Sequence, residues 1–136
     1  GIENRTTAFR AIKGDSSSQR IENRLPGADS NPYLALAATL GAGFLGIKEK
    51  IKPTNETIGG AYDLNVEKKY QVPENLDEAA NLFKNSEPAK DLFGEDFVNH
   101  FANTRIWEYK EFQKNRSFLE SDAISPWELK RYFEII

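Results

Sequence analysis

The chain has 136 residues, 39% hydrophobic and 29% charged, with a formal net charge of −3. That length supports one hydrophobic core, and the composition is that of a globular rather than a disordered chain. The negative balance argues against general nucleic-acid binding, and with no cysteine and one histidine the sequence excludes a disulfide scaffold, a thiol nucleophile, a Cys-ligated zinc and a multi-histidine metal site. Methionine is absent and the chain opens at Gly1, so the expectation is either a removed initiator or a stretch of a longer polypeptide. Gly1–Arg10 is polar and charged, without the apolar region of a signal peptide, which fits a cytoplasmic location.

Two extended segments come first. Thr6-Thr7-Ala8-Phe9-Arg10-Ala11-Ile12 is rich in β-branched and aromatic residues, and Gly14-Asp15-Ser16-Ser17-Ser18 reads as a turn. Gln19-Arg20-Ile21-Glu22-Asn23-Arg24-Leu25 has period two, with Ile21 and Leu25 on one face and Arg20, Glu22 and Arg24 on the other, and Pro26-Gly27 ends it. A hairpin is the simplest arrangement, with its strands inside about residues 5–25.

Asn31-Pro32 is a helix start, an N-cap followed by proline at N1. Pro32–Ile47 carries no charge, and Leu36, Leu40, Phe44, Ile47 and Ile51 form a bulky stripe with notches at Gly41, Gly43 and Gly46. The run is shorter than the ~20 residues of a membrane span, so the expectation is a buried core helix over about 32–52 with close neighbours and no membrane. Pro53–Asn75 has no sustained periodicity, which predicts a functional loop or a strap lying on protein outside this sequence. Helices are expected over about 76–85, over about 87–118 with a division at Gly94, and over about 126–135 from the Ser125-Pro126 start. The fold class is α+β: a short β-hairpin followed mainly by α-helices.

The residues with most chemical promise are Arg5, Arg10, Arg20, Glu22 and Arg24. Arg20, Glu22 and Arg24 project from one strand face at steps of ~6.6–6.8 Å. One reading is a solvated face with cross-strand ion pairs. The other is a polyphosphate and metal site, in which arginines offer paired donors to phosphate oxygens and the interposed carboxylate takes a Mg²⁺ bridging the same oxygens. His100, alone on a helix between aromatic positions, is read as structural, and Ser16-Ser17-Ser18 as a loop without a neighbouring base.

Three blocks of the sequence, Asn4-Arg5-Thr6-Thr7-Ala8-Phe9-Arg10, Arg20-Ile21-Glu22-Asn23-Arg24 and Gly27-Ala28-Asp29-Ser30-Asn31-Pro32-Tyr33-Leu34, resemble the C-terminal part of the glutamine synthetase catalytic domain. The pattern there runs N-R-[ST]-x-x-x-R, then R-[IV]-E-x-R, then a small-residue stretch into N-P-Y. The resemblance is strongest over Gly1–Ile51 and reaches Glu128-Leu129-Lys130-Arg131-Tyr132, where it is similar to the type I-like branch that includes γ-glutamyl-polyamine and related amide ligases. It implies the C-terminal portion of a catalytic domain over residues 1–136 and an ATP-dependent carboxylate–amine ligase, which phosphorylates the glutamate side chain and displaces the phosphate with ammonia.

Carried over by motif, Glu22 is implied as a ligand of the Mg²⁺ or Mn²⁺ that accompanies ATP. Arg24 is implied at the glutamate γ-carboxylate or the transferred phosphoryl group, Arg5 and Arg10 as neutralising phosphate charge, and Arg20 along the nucleotide. The implied partners are glutamate, ATP and ammonia or an amine, in a homo-oligomeric ring. Tyr62 in Gly60-Ala61-Tyr62-Asp63 falls near a tyrosine that some bacterial relatives adenylylate, but its flanks differ. Residues 116–123 read as less regular than is usual for the family before its last helix. The ammonium pocket, the metal-binding histidine and most acidic ligands of the family precede the part that Gly1–Ile136 resembles, so the stretch alone is expected to be inactive. The alternatives are a polyamine or alkylamide ligase of the same family and a non-catalytic binding or structural module.

Overall fold

The computed structural model describes residues 1–116 and 124–133. Among these the architecture is α+β, a two-stranded antiparallel hairpin followed by five α-helices. The chain divides into two compact units, Gly1–Tyr70 and Gln71–Ile136.

In the first unit, β1 (Phe9–Ile12) pairs with β2 (Arg20–Asn23) in the register Phe9↔Asn23, Arg10↔Glu22, Ala11↔Ile21 and Ile12↔Arg20. The expected first strand is shorter than its composition suggests. The Asn4 side-chain oxygen accepts from the Thr6 amide at 2.9 Å and the Thr6 hydroxyl at 2.7 Å, so residues 5 and 6 form a turn. A short polar side chain here outcompetes the sheet ladder for the backbone. The connection between the strands is organised by Asp15, whose Oδ1 accepts from the amides and hydroxyls of Ser17 and Ser18. The serines are turn residues, as that chemistry favours.

Helix α1 (Pro32–Lys48) begins where Asn31 Oδ1 accepts from the amides of Tyr33 and Leu34. It ends with Lys50 at φ 51°, the Lys50 amide donating to Ile47 O and the Ile51 amide to Gly46 O, a Schellman closure with lysine in place of the usual glycine. The expected burial of this helix is not found: no α1 residue is buried, and Leu36, Leu40, Phe44 and Ile47 are all exposed, Leu40 at 71%. The two strands are too short to cover a 17-residue helix, and an added Cβ at Gly43 or Gly46 would meet nothing within 4 Å. Among the described residues no helix is long and apolar enough to cross a membrane.

The second unit holds the described core. Helix α2 (Leu76–Lys84) is capped by Asn75, α3 (Glu87–Phe93) by Ser86, and α5 (Pro126–Tyr132) by a reciprocal Ser125–Glu128 box. Helix α4 (Glu95–Asn115) packs against all three. Ala80, Ala89, Val98 and Ala102 are buried at the contacts, and small side chains there let the helices approach. Phe83, Phe93, Phe97 and Phe101 surround them with centroids 5.8–6.2 Å apart, in tilted, edge-on and, for Phe97–Phe101, stacked pairs, the arrangements aromatic rings favour. At the other end of α4 the buried Glu108 accepts from Arg131 Nε at 2.8 Å and Nη2 at 3.0 Å, and from the Tyr132 hydroxyl at 2.6 Å, tying α5 to α4. Trp107, on the same helix, is 54% exposed. The expected ends of the third and last helices at 117–118 and 134–135, and the irregular stretch after 116, lie outside the described residues.

Gly94, which separates α3 from α4, has φ 83° and ψ 145°, backbone that side-chain-bearing residues rarely adopt. An added Cβ would meet nothing within 4 Å, so the penalty is purely conformational. Gly94→Ala is expected to lower stability by about 2 kcal/mol, measurable by urea denaturation with an unchanged m-value.

Candidate functional site

The charged residues of the hairpin are organised by the segment that precedes it. Residues 1–3 run alongside the free edge of β1: the Glu3 amide donates to Ala11 O and the Ala11 amide to Gly1 O, each at 3.0 Å. This parallel bridge sets Glu3 beside Arg10 and Lys13. Asn4 then turns the chain and also holds a distant segment, its Nδ2 donating to Thr57 O at 3.2 Å and Gly59 O at 2.9 Å. The Ala61 amide donates to the Thr6 hydroxyl at 2.8 Å, and the Ile2 amide to Glu56 Oε1 at 3.2 Å. At 56–61, therefore, the segment expected as a functional loop or as a strap on outside protein lies against this chain's own Asn4–Thr6 turn. Tyr62 follows directly, in a 3-10 turn over Ala61–Asp63, and is exposed.

Because Arg10 and Glu22 are register partners, their side chains leave the same face of the hairpin. Arg10 Nη1 donates to Glu22 Oε2 at 3.3 Å, and Arg24 Nη1 to Glu22 Oε1 at 3.1 Å. Arg10 Nη2 donates to Glu3 Oε2 at 2.5 Å. The result is a chain of alternating charge, Glu3–Arg10–Glu22–Arg24. Desolvation alone would raise the Glu22 carboxyl, but the hydrogen bonds from Arg24 and Arg10 outweigh it and hold the group below its usual range. The Arg10 hydrogen bond likewise depresses Glu3 against a smaller desolvation cost. Both carboxylates stay anionic at neutral pH.

The structure brings Arg10, Glu22 and Arg24 together and leaves Arg5 and Arg20 out of that network. Arg20 is exposed, its Nη1 donating to Ser18 O at 3.1 Å. Arg5 is exposed in the turn and has no hydrogen-bond partner among the described residues. Chemically the face offers the paired Arg10 and Arg24 guanidinium groups around a partly exposed carboxylate, with the exposed Arg20 held to Ser18 O beside them, a donor set suited to phosphate oxygens. It does not complete a divalent-cation site: among the described residues no three acidic or histidine side chains cluster, and each Glu22 oxygen already accepts from an arginine. His100, on α4 in the second unit, is exposed. Sequence reasoning missed Glu3, whose place depends on a bridge between residues 1–3 and β1 that carries no local signature. The Asn4–Thr6 pair was detectable as an Asx-turn signal.

The family described as "Glutamine synthetase, catalytic domain" matches residues 1–132. The chain is similar to a glutamate–isopropylamine ligase of a Pseudomonas species, 43% identical over the whole chain and 28% of that protein. It is 40% identical to type-1 glutamine synthetase 2 of Dictyostelium discoideum over the whole chain and 25% of that protein. It is also 40% identical to the γ-glutamylethanolamide synthetase GlnA4 of Streptomyces coelicolor, over 98% of the chain and 26% of that protein. The chain thus spans about a quarter of the length of these relatives. With nearly every residue inside the matched region, the chain belongs to the glutamine synthetase catalytic-domain family.

Proposed function

We propose that this stretch is one part of the active site of an ATP-dependent ligase that joins the glutamate side-chain carboxylate to ammonia or an amine. The observation that carries the reading is the Arg10–Glu22–Arg24 row, set within a chain of this family. A γ-carboxylate oxygen attacks the terminal phosphorus of ATP and ADP leaves. The amine nitrogen then attacks the resulting acyl phosphate, and phosphate departs with its electron pair while the amine gives up a proton. Both steps spread negative charge over phosphoryl oxygens, and guanidinium donors fixed beforehand favour such transition states.

Arg24 takes the γ-carboxylate and the phosphoryl group in transfer. Arg5 and Arg10 neutralise the moving charge, and the exposed Arg20 lies along the nucleotide. Glu22 would be one carboxylate ligand of a shared Mg²⁺ or Mn²⁺ that needs further ligands besides those of this stretch, and such a cation would supply screening of phosphate charge. A cytoplasmic homo-oligomeric ring belongs to the same reading. An alkylamine acceptor is favoured beside ammonia because two of the similar proteins carry amine-derived names.

The test is ADP and amide formation from glutamate and ATP with ammonia, isopropylamine or ethanolamine, run on the polypeptide that carries this stretch and on residues 1–136 alone. Turnover with at least one acceptor is expected from the former and none from the latter. Glutamate-dependent amide formation by residues 1–136 alone overturns the shared-site reading, and no turnover from the carrying polypeptide with any acceptor overturns the ligase.

A further inference from the structure

We propose that Glu3 is a positioning residue for Arg10, fixing its guanidinium for the nucleotide phosphates; this rests on the ligase reading above. Glu3 sits at φ 50°, a left-handed conformation that a residue other than glycine adopts only where its surroundings over-determine it. Those surroundings are specific. The Glu3 amide is tied to Ala11 O at 3.0 Å, its Oε1 accepts from the Lys13 amide at 3.2 Å, and its Oε2 accepts from Arg10 Nη2. Backbone just after Arg10, at Ala11 and Lys13, therefore holds the carboxylate that holds Arg10.

Arg10 is only 19% exposed and is gripped at both ends of its fork, by Glu3 on Nη2 and by Glu22 on Nη1. Its Nε is buried and has no partner among the described residues, so the two carboxylates set where the plane lies. The contact to Glu22 is the longer one, at 3.3 Å. Without Glu3 the guanidinium has one anion left within hydrogen-bond reach, and closes on it. That movement draws Arg10 toward Glu22 and off the position that the two carboxylates fix together. Glu3 acts on the site by competing with Glu22 for the same arginine. The pair contributes little to folding, because the Glu3 side chain is 47% exposed and exposed ion pairs are weak.

The experiment is a double-mutant cycle in the polypeptide that carries this stretch, using Glu3→Gln, Arg10→Ala and both together. Glu3→Gln is expected to raise the KM for ATP by about tenfold, the scale of one charge-assisted hydrogen bond, with kcat within about threefold and the KM for glutamate unchanged. Glu3→Asp recovers part of the loss. In the Arg10→Ala background Glu3→Gln adds nothing, because its effect runs through Arg10. The same cycle is read by calorimetry as the Kd for a non-hydrolysable ATP analogue, which needs no turnover. An unchanged ATP constant in Glu3→Gln, or losses that multiply in the Arg10→Ala background, overturns the proposal while the wild type stays active. A wild type without ATP-dependent amide formation is a different result and removes the ligase reading itself.

Discussion

Replacing Glu22 with alanine is expected to lower ATP-dependent amide formation by the carrying polypeptide by at least ~100-fold, the scale seen when one preorganised electrostatic group is removed from an active site. Glu22 is the central member of the alternating row: Arg10 and Arg24 both donate to it, and Arg10 reaches it from the opposite strand. Alanine leaves Arg24 without that carboxylate and leaves Arg10 to Glu3 alone, so two guanidinium groups lose their common reference point and the face loses its proposed metal-ligating carboxylate. Folding changes little, because the Glu22 side chain is 38% exposed and pairs at that exposure stabilise weakly. Glu22→Gln separates charge from shape: it keeps the length of the side chain, and a loss as deep as that of alanine assigns the effect to the carboxylate charge. Turnover within about threefold of wild type for both variants, with thermal midpoints unchanged, identifies the row as ordinary cross-strand pairing.

How much of this was legible in the sequence depended on the range of the interactions. The hairpin could be read from the alternation of Ile21, Leu25 and the charged residues between them, and the helix starts from Asn31-Pro32, Asn75 and Ser125-Pro126, because caps and period two are local properties. The motif that carries the family is also local. The alternating charge network could be read only in part. Arg20, Glu22 and Arg24 share a face by simple counting, yet the network that forms is Glu3–Arg10–Glu22–Arg24, because β1 supplies the register partner of Glu22 and residues 1–3 add a bridge on the far edge of β1. Arg20, equivalent to Arg24 by spacing, instead turns back to its own loop at Ser18.

The long-range errors share one cause. The uncharged run of α1 reads as core because hydrophobicity reports a tendency to be covered, without naming what covers it. The segment around 56–61 reads as a functional loop or a strap on outside protein because its hydrogen bonds go to residues 53–55 positions away, which no local pattern shows. In the second unit, Phe97 and Phe101 pack against neighbouring rings, whereas Trp107 on the same helix lies toward solvent and a glutamate one residue further is buried. No hydrophobic pattern predicts a buried carboxylate; it is tolerated only because Arg131 and Tyr132 arrive from α5.

That buried carboxylate gives the largest expected effect on stability. Glu108 is 5% exposed and takes three hydrogen bonds from two residues of α5. Glu108→Ala removes the acceptor of all three and opens a void beneath α5. Breaking one side of a buried pair costs 3–5 kcal/mol, and the lower end, about 3 kcal/mol, applies because the Arg131 side chain is 41% exposed and water can solvate it. For a unit of this size that corresponds to roughly 15 °C in thermal midpoint. Both tryptophans of the chain, Trp107 and Trp127, lie in this unit, so intrinsic fluorescence follows its melting directly.

The same group sets a pH dependence of definite sign. The Arg131 hydrogen bond, opposed by desolvation and aided by Tyr132, holds the Glu108 carboxyl below its ordinary value of 4.5. A depressed folded value means the unfolded chain binds the proton first. The stabilisation is complete above about pH 4.5 and disappears as pH falls through the lower folded value. Tyr132 behaves in the opposite sense: burial, then the hydrogen bond to Glu108, pushes its hydroxyl up to about 12 from 10.0. Its contribution is whole below pH 10 and is lost as pH rises toward 12. Glu108→Gln, which removes the charge and keeps an acceptor, is expected to flatten the acid limb of the fluorescence-detected stability curve and to shrink the alkaline loss, because the neighbouring charge that helps raise the Tyr132 hydroxyl is gone. An acid limb as steep in Glu108→Gln as in wild type assigns the acid sensitivity to other carboxylates and reduces the Glu108 cluster to a packing contact.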